Sequence, residues 1–196
     1  MRRWGAILIV GLTAALGGAS ARAEGHVRLL GGLRELAGGV WDPVEEQGLQ
    51  GIEAAFSLGS SPWRLTAGLS RSEDKKHTLT PAPVFTVTFE GKSSELSVGL
   101  ARLWRAAARL RPYAGGGLSL GTASFTASDN DFAGGRIEDR DQFAALYGAG
   151  GLLWFFDDHL HVGAELRLSG GSRIGLLEGG GRANGSSAAL SVGWGW

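Results

Sequence analysis

The 196-residue chain carries 19 Lys and Arg against 19 Asp and Glu, so it lacks the basic excess that a nucleic-acid-binding surface imposes. It has no cysteine, which excludes disulfides, thiolate nucleophiles and cysteine-ligated zinc or iron–sulfur centres. Its 34 glycines are more than twice the usual ~7% of a chain, yet 43% of residues are hydrophobic, a composition of an ordered fold that uses small residues heavily.

At the N-terminus, Met1-Arg2-Arg3 is basic, Ala6 to Leu16 is mostly apolar, and Ala21-Arg22-Ala23 has the small-x-small form of a cleavage site. This pattern predicts a secretory signal peptide over residues 1–23, removed from a mature domain of 24–196. Gly17-Gly18-Ala19-Ser20 breaks the apolar run before it reaches the roughly 20 residues of a spanning helix. No later stretch approaches that length. A mature chain that crosses a membrane must therefore do so as a closed β-barrel, the other way to pair every backbone group in lipid.

The rest of the sequence reads in period two, the signature of strands. The first segment, Val27 to Arg34, alternates weakly because Leu30 falls among the polar positions. In Gly51 to Leu58, Ile52, Ala54, Phe56 and Leu58 oppose Gly51, Glu53, Ala55 and Ser57; in Trp63 to Ser70, Trp63, Leu65, Ala67 and Leu69 oppose Arg64, Thr66, Gly68 and Ser70. Around Glu95 to Trp104, Leu96, Val98 and Leu100 oppose Glu95, Ser97 and Gly99, and around Pro112 to Gly121, Ala114, Leu118 and Leu120 oppose Gly115, Gly117, Ser119 and Gly121. Gln142 to Phe156 is apolar on both faces, which leaves its facing open. Leu160 to Ser169 and Ser187 to Trp196 alternate cleanly. These segments predict an all-β fold, an eight-stranded antiparallel up-and-down transmembrane barrel, with the even strand number of bacterial outer-membrane barrels. Val84 to Glu90 also alternates, but out of phase with Leu96, Val98 and Leu100. A bulge near Gly91-Lys92 would merge the two into one long fourth strand; an extra hairpin would raise the count to ten strands.

A soluble barrel would bury the apolar stripe and wet the polar one. Here the polar stripe is rich in Gly and Ser and nearly free of Lys, and it carries Arg28, Glu53, Arg64, Glu95, Glu165 and Arg167. Small residues and charges of both signs suit a narrow interior, and an eight-stranded barrel is just wide enough for side chains to fill. The six ionisable residues are thus expected to form a lumen charge network of opposite-sign pairs; a gated ion or proton path is the functional alternative. Joints at Gly59 to Pro62, Arg105 to Arg109 and Phe156 to His159 are short, and the others are long and polar. Trp63, Trp104, Tyr113, Trp154, Phe155, Trp194 and Trp196 fall at strand ends beside the short joints, where a periplasmic aromatic girdle is expected. Phe85, Phe125, Phe143 and Tyr147 are candidates for a sparser outer girdle.

Several motifs carry a resemblance. Pro112-Tyr113-Ala114-Gly115-Gly116-Gly117, Tyr147-Gly148-Ala149-Gly150-Gly151, the Asp157-Asp158-His159 turn, Gly163-Ala164-Glu165-Leu166-Arg167 and the C-terminal aromatic Trp196 together resemble the small outer-membrane β-barrel domains of OmpA-type, OmpW-type and opacity-type proteins. The resemblance spans most of the mature chain. It implies an outer-membrane location in a Gram-negative envelope, contact with outer-membrane lipids and lipopolysaccharide, and recognition of the C-terminal strand by the barrel-assembly machinery. The family usually ends in Phe, and Trp196 departs from that.

No residue set predicts catalysis, a metal site or a cofactor. His26, His77, His159 and His161 lie in no recognised pair. A lipid A deacylase needs a His two residues before its Ser as general base; before Ser169 that position is Arg167, which cannot accept a proton. Ser128 to Gly134 has oxygen ligands but not the spacing of an EF-hand; with Arg136, Glu138, Asp139, Arg140 and Asp141 it reads as a solvated acidic loop that bridges cations or meets lipopolysaccharide phosphates. Gly179-Gly180-Gly181 lacks the context of a phosphate-binding loop and reads as flexible. The expected role is non-enzymatic, in envelope structure or surface contact. The alternatives are a narrow pathway for small apolar solutes, lined by Leu30 and Leu152, and a lipid A-modifying enzyme.

Overall fold

The computed structural model describes residues 24–37, 41, 44–81, 84–129, 135–176 and 179–196. The signal peptide expected over 1–23 and residues 130–134 of the acidic loop lie outside them. The strands are β1 (Gly25–Leu36), β2 (Glu46–Ser57), β3 (Trp63–Pro81), β4 (Val84–Leu103), β5 (Leu110–Asp129), β6 (Arg136–Phe155), β7 (Leu160–Gly171), β8 (Arg173–Leu176), β9 (Gly179–Arg182) and β10 (Gly185–Gly195). Eight of them close into an antiparallel barrel in the order β1-β10-β7-β6-β5-β4-β3-β2, and β8 and β9 form a separate two-stranded sheet. Val84 to Glu90 forms no extra hairpin but the start of β4, and the two further strands are a small hairpin in the last long connection. Gly179-Gly180-Gly181, expected as flexible loop, is strand β9, paired to β8 from Leu176↔Gly179 to Arg173↔Arg182.

No bulge interrupts β4. Its pairing with β3 runs unbroken from Trp63↔Arg102 to Pro81↔Val84. Val87 and Phe89 therefore share the inward face with Glu95 and Ser97, and the phase change in the sequence marks a change in what the interior holds. Strands β3 to β6 have 19 or 20 residues whereas β1, β2, β7 and β10 have 11 or 12, so one wall of the barrel projects past the rest. The inner side of that wall is apolar. Trp41 and Val44 from the β1–β2 connection, with Ile174 and Ala183 from the last one, pack there against Ala123, Phe125, Phe143 and Ala145. Each fully buried large side chain contributes about 1.5–3 kcal/mol, which fixes both connections over the barrel mouth. Phe125 and Phe143, read from sequence as outer-girdle residues, are core; Phe85 lies outside the residues whose side chains are described.

The outward face has a sharp border. Gln50, Arg71, Ser94, Thr122 and Gln142 are register partners in turn across β2 to β6 and form one polar row. Two residues further along each strand, Leu29, Ile52, Leu69, Leu96, Leu120 and Ala144 form an apolar one. From there the outer surface stays apolar toward the short turns, with Leu118, Leu146, Leu166 and Leu190 all more than 60% exposed. In β6, whose facing the sequence left open, Leu152 is 49% exposed on the outside and Leu153 is buried inside. Leu152 therefore cannot line the lumen. Leu30, on the same face of β1 as Arg28 and Arg34, does point inward.

Candidate functional site

Closure of the barrel brings Arg28 of β1, Glu53 of β2, Tyr113 of β5 and Glu165 of β7 to one level of the interior, all buried. Arg28 donates through Nε and Nη2 to Glu53 Oε1 at 3.1 and 2.8 Å, through Nη1 to Tyr113 Oη at 2.6 Å, and through Nη2 to Glu165 Oε2. Tyr113 Oη in turn donates to Glu165 Oε2 at 2.6 Å. One guanidinium thus holds two carboxylates, with the phenol closing the ring of hydrogen bonds.

A second triad inverts the first. Glu95 of β4 pairs with Arg34 Nη1 at 2.9 Å and with Arg167 Nη2 at 2.7 Å. The Arg167 guanidinium also lies 3.7 Å from the centre of the Tyr147 ring, a cation–π contact. Glu165 and Arg167 are two residues apart on the same face of β7, which stacks the triads one on the other. The first has one cation for two anions and the second one anion for two cations, so the pair is neutral as a whole. That balance matters because an uncompensated buried charge costs several kcal/mol.

The sequence missed Arg34, although it falls on the inward parity of β1 that Arg28 defines. Arg64, expected in the network, lies nearer the short turns instead. Its Nη2 is 3.7 Å from the exposed Glu24, and its Nη1 is 3.4 Å from His26 Nδ1. It meets no lumen carboxylate among the described residues because β3 carries it below the level of Glu53.

An aromatic layer closes this end. His26 and His161 meet edge to face at 5.2 Å, His161 stacks on Phe155 at 4.9 Å, and Arg111 lies 4.0 Å from the centre of the Phe155 ring. Tyr113 and Phe155, expected in the periplasmic girdle, are both buried in the interior. They were misplaced because position at a strand end does not fix facing; both have inward parity. Trp63, Trp104, Trp154, Trp194 and Trp196 are 41–53% exposed and lie on the outside. His159 stacks on Trp194 outside the barrel, and His77 is hydrogen-bonded to Thr88 on the projecting wall.

Three cavities of about 20, 30 and 20 Å³ flank the triads, each with room for one or two waters. Among the described residues no group of three or more His, Cys, Asp or Glu side chains is placed to hold a metal. Ser169 Oγ donates to the Gly185 carbonyl at 3.2 Å, and Asn184 Oδ1 accepts from Gly171 N–H at 3.0 Å. Both are engaged in holding the last connection to the rim.

From the polar row outward, the projecting wall carries short-range ion pairs on its outer face: Arg71 with Glu73 at 2.8 Å, Arg136 with Glu138 at 3.0 Å, and Lys92 with Glu90. Asp141 Oδ2 accepts from Gly175 N–H at 2.7 Å and so ties the β8–β9 hairpin to β6. This bond and a second from Gln142 N–H hold the Asp141 carboxyl below its ordinary range.

No protein-family model and no curated protein sequence matches the chain. Solved structures do. A major outer membrane protein from Thermus thermophilus superposes with a TM-score of 0.55 at 10% identity, over 89% of this chain and 100% of that one. Ail, the attachment invasion locus protein of Yersinia pestis, gives 0.52 at 11% identity over 89% and 97%, and Neisserial surface protein A gives 0.50 at 17% over 88% and 95%. At such identities the likeness concerns the fold: the chain is an eight-stranded antiparallel β-barrel resembling small outer-membrane barrels of this kind.

Proposed function

We propose that the mature chain is a non-enzymatic β-barrel of the bacterial outer membrane, exported through the leader at 1–23, with a role in envelope structure or surface contact. The observation that carries this reading is the inversion of burial: Leu190 is 71% exposed and Leu166 68%, while Arg28 and Glu165 are 3% and 7% exposed. Such a surface suits hydrocarbon, where exposed apolar side chains cost nothing and a closed sheet leaves no backbone group unpaired. The exposed tryptophans mark the periplasmic interface in this reading, and β10, ending at Trp196, is the segment offered to the barrel-assembly machinery. The projecting wall then stands on the outer side, where Arg140 and the paired Arg71, Lys92 and Arg136 meet lipopolysaccharide phosphates.

Two other roles find less support. A pathway for apolar solutes loses Leu152 from its lining and would have to cross both buried triads. Lipid A hydrolysis lacks a base beside Ser169, since Arg167 is committed to Glu95. The test is refolding of the purified mature chain into lipid vesicles, read by migration on gels with and without heating. A compact species that unfolds only on boiling supports the proposal; a chain that stays in the soluble fraction, folded and without lipid, refutes it.

A further inference from the structure

Basic residues without an ion pair among the described residues occur at both ends of the barrel, Arg140 on the projecting wall being one, but the short-turn end gathers three of them about a single turn. On the projecting wall, Arg71, Lys92 and Arg136 each have a carboxylate two residues away on the same strand. At the short-turn end, Arg102, Arg105 and Arg109 crowd the β4–β5 turn, and among the described residues none of them has a carboxylate within ion-pair distance. The turn holds them in place. Trp104 N–H donates to the Pro112 carbonyl at 2.9 Å, Ala106 and Ala107 N–H donate to the Leu110 carbonyl at 3.3 and 3.2 Å, and the Arg109 carbonyl accepts from Phe155 N–H at 2.9 Å. The three guanidinium groups are not ion-paired within the described residues.

Its position selects the partner. Arg102 has the outward parity of Val98 and Leu100, on the apolar face, and its guanidinium lies 5.6 Å from the centre of the exposed Trp104 ring. Its register partners are Ala114 on β5 and Trp63 on β3, and its side chain is exposed. An acidic protein in the periplasm would have to enter the lipid to reach it, whereas a lipid phosphate already sits at the depth of an interfacial Trp. Arginine grips a phosphate with two parallel hydrogen bonds. We infer that the β4–β5 turn binds the phosphate of an anionic glycerophospholipid of the periplasmic leaflet through Arg102, Arg105 and Arg109. This rests on the membrane placement proposed above.

The test uses the mature chain folded in mixed phosphatidylglycerol and phosphatidylcholine micelles, with retained lipid counted by native mass spectrometry. A basic residue near an anionic headgroup is worth about fivefold in binding. The wild type is thus expected to retain phosphatidylglycerol over phosphatidylcholine by roughly tenfold or more, and R102Q/R105Q/R109Q to lose that preference, while K75Q/R173Q, at two exposed positions of the opposite end, keeps it. Should the triple variant not fold, the exposed single substitutions Arg105→Gln and Arg109→Gln carry the test, each with a partial loss of preference. Equal retention of the two lipids by a wild type that inserts into phosphatidylcholine vesicles overturns the inference and leaves the membrane placement standing. A wild type that inserts into no vesicle overturns both. Displacement of the lipid by excess inorganic phosphate, with phosphate bound in its place, assigns the turn to free anions and overturns the lipid assignment.

Discussion

Arg28 and Glu165 meet in the middle of the barrel although 137 positions separate them in the chain. They sit on β1 and β7, which have β10 between them on one side and β2 to β6 on the other, so their contact across the interior is set once the last strand has closed on the first. The ion pair is thereby a reporter of barrel closure.

Removal of one member should be costly. Glu165→Gln leaves Tyr113 without its carboxylate acceptor and Arg28 with Glu53 alone, and the first triad no longer offsets the second. The expected loss is about 3 kcal/mol, toward the lower end for a broken buried pair because Glu53 remains. Urea unfolding of the vesicle-inserted barrel measures it. The same variant should show no steady current in planar bilayers, since the second triad and the apolar cap still fill the interior; a large current in either the variant or the wild type contradicts a plugged lumen.

Substitution across the border on the outer face should discriminate sharply. Leu190→Arg and Val98→Arg are expected to destabilise the inserted barrel by about 2–4 kcal/mol, as a charge in mid-bilayer does, whereas Thr122→Arg in the polar row should cost about 1 kcal/mol or less. Equal effects at Thr122 and Val98 would show that the border lies elsewhere.

This border also shows how far the sequence could be read. Period two groups residues into faces, and in Trp63 to Ser70 or Leu160 to Ser169 the contrast between faces is large enough to say which is lipid-like. In Gln142 to Phe156 both faces are apolar, and nothing local distinguishes Leu152 from Leu153. Tyr113 and Phe155 sit at the right height for a girdle but have inward parity; for Tyr113 this was legible from Ala114, Leu118 and Leu120 on the opposite face, whereas for Phe155 only the pairing of neighbouring strands reveals it. The apolar cap was illegible for another reason: Trp41 and Ile174 lie in connections without a period, and their burial depends on how far β3 to β6 project.

One glycine marks how tightly the lower interior is packed. A Cβ at Gly193 would stand 2.5 Å from both His161 Nε2 and the Val27 carbonyl oxygen. The ring could shift, but the backbone of the paired strand cannot. Gly193→Ala should therefore destabilise the barrel by about 1–3 kcal/mol, the range for overpacking, measured in the same urea titration. Alanine at Gly148, where the added Cβ meets nothing within 4 Å, is the matched control and should be near neutral.

The tie between the β8–β9 hairpin and β6 should depend on acid. Hydrogen bonds from Gly175 and Gln142 depress the Asp141 carboxyl in the folded protein, so their contribution is present above the ordinary carboxyl pKa of ~3.9 and is lost as pH falls through the lower folded value. Amide exchange at Gly175 should consequently rise, relative to β8 amides of Asp141→Ala at the same pH, only below about pH 4. Asp141→Ala should show the raised exchange already at neutral pH. Identical protection in the two proteins at neutral pH would mean that Asp141 does not hold the hairpin.

The inside-out burial can be read directly by spin labelling, because the chain has no native cysteine. Nitroxides attached to Leu118→Cys, Leu166→Cys and Leu190→Cys in vesicle-inserted protein should collide freely with oxygen and hardly with a water-soluble nickel chelate, while a label at Thr122→Cys should show the reverse. If the nickel chelate reaches positions 118, 166 and 190 as readily as 122, the apolar face is not in hydrocarbon and the membrane assignment is wrong.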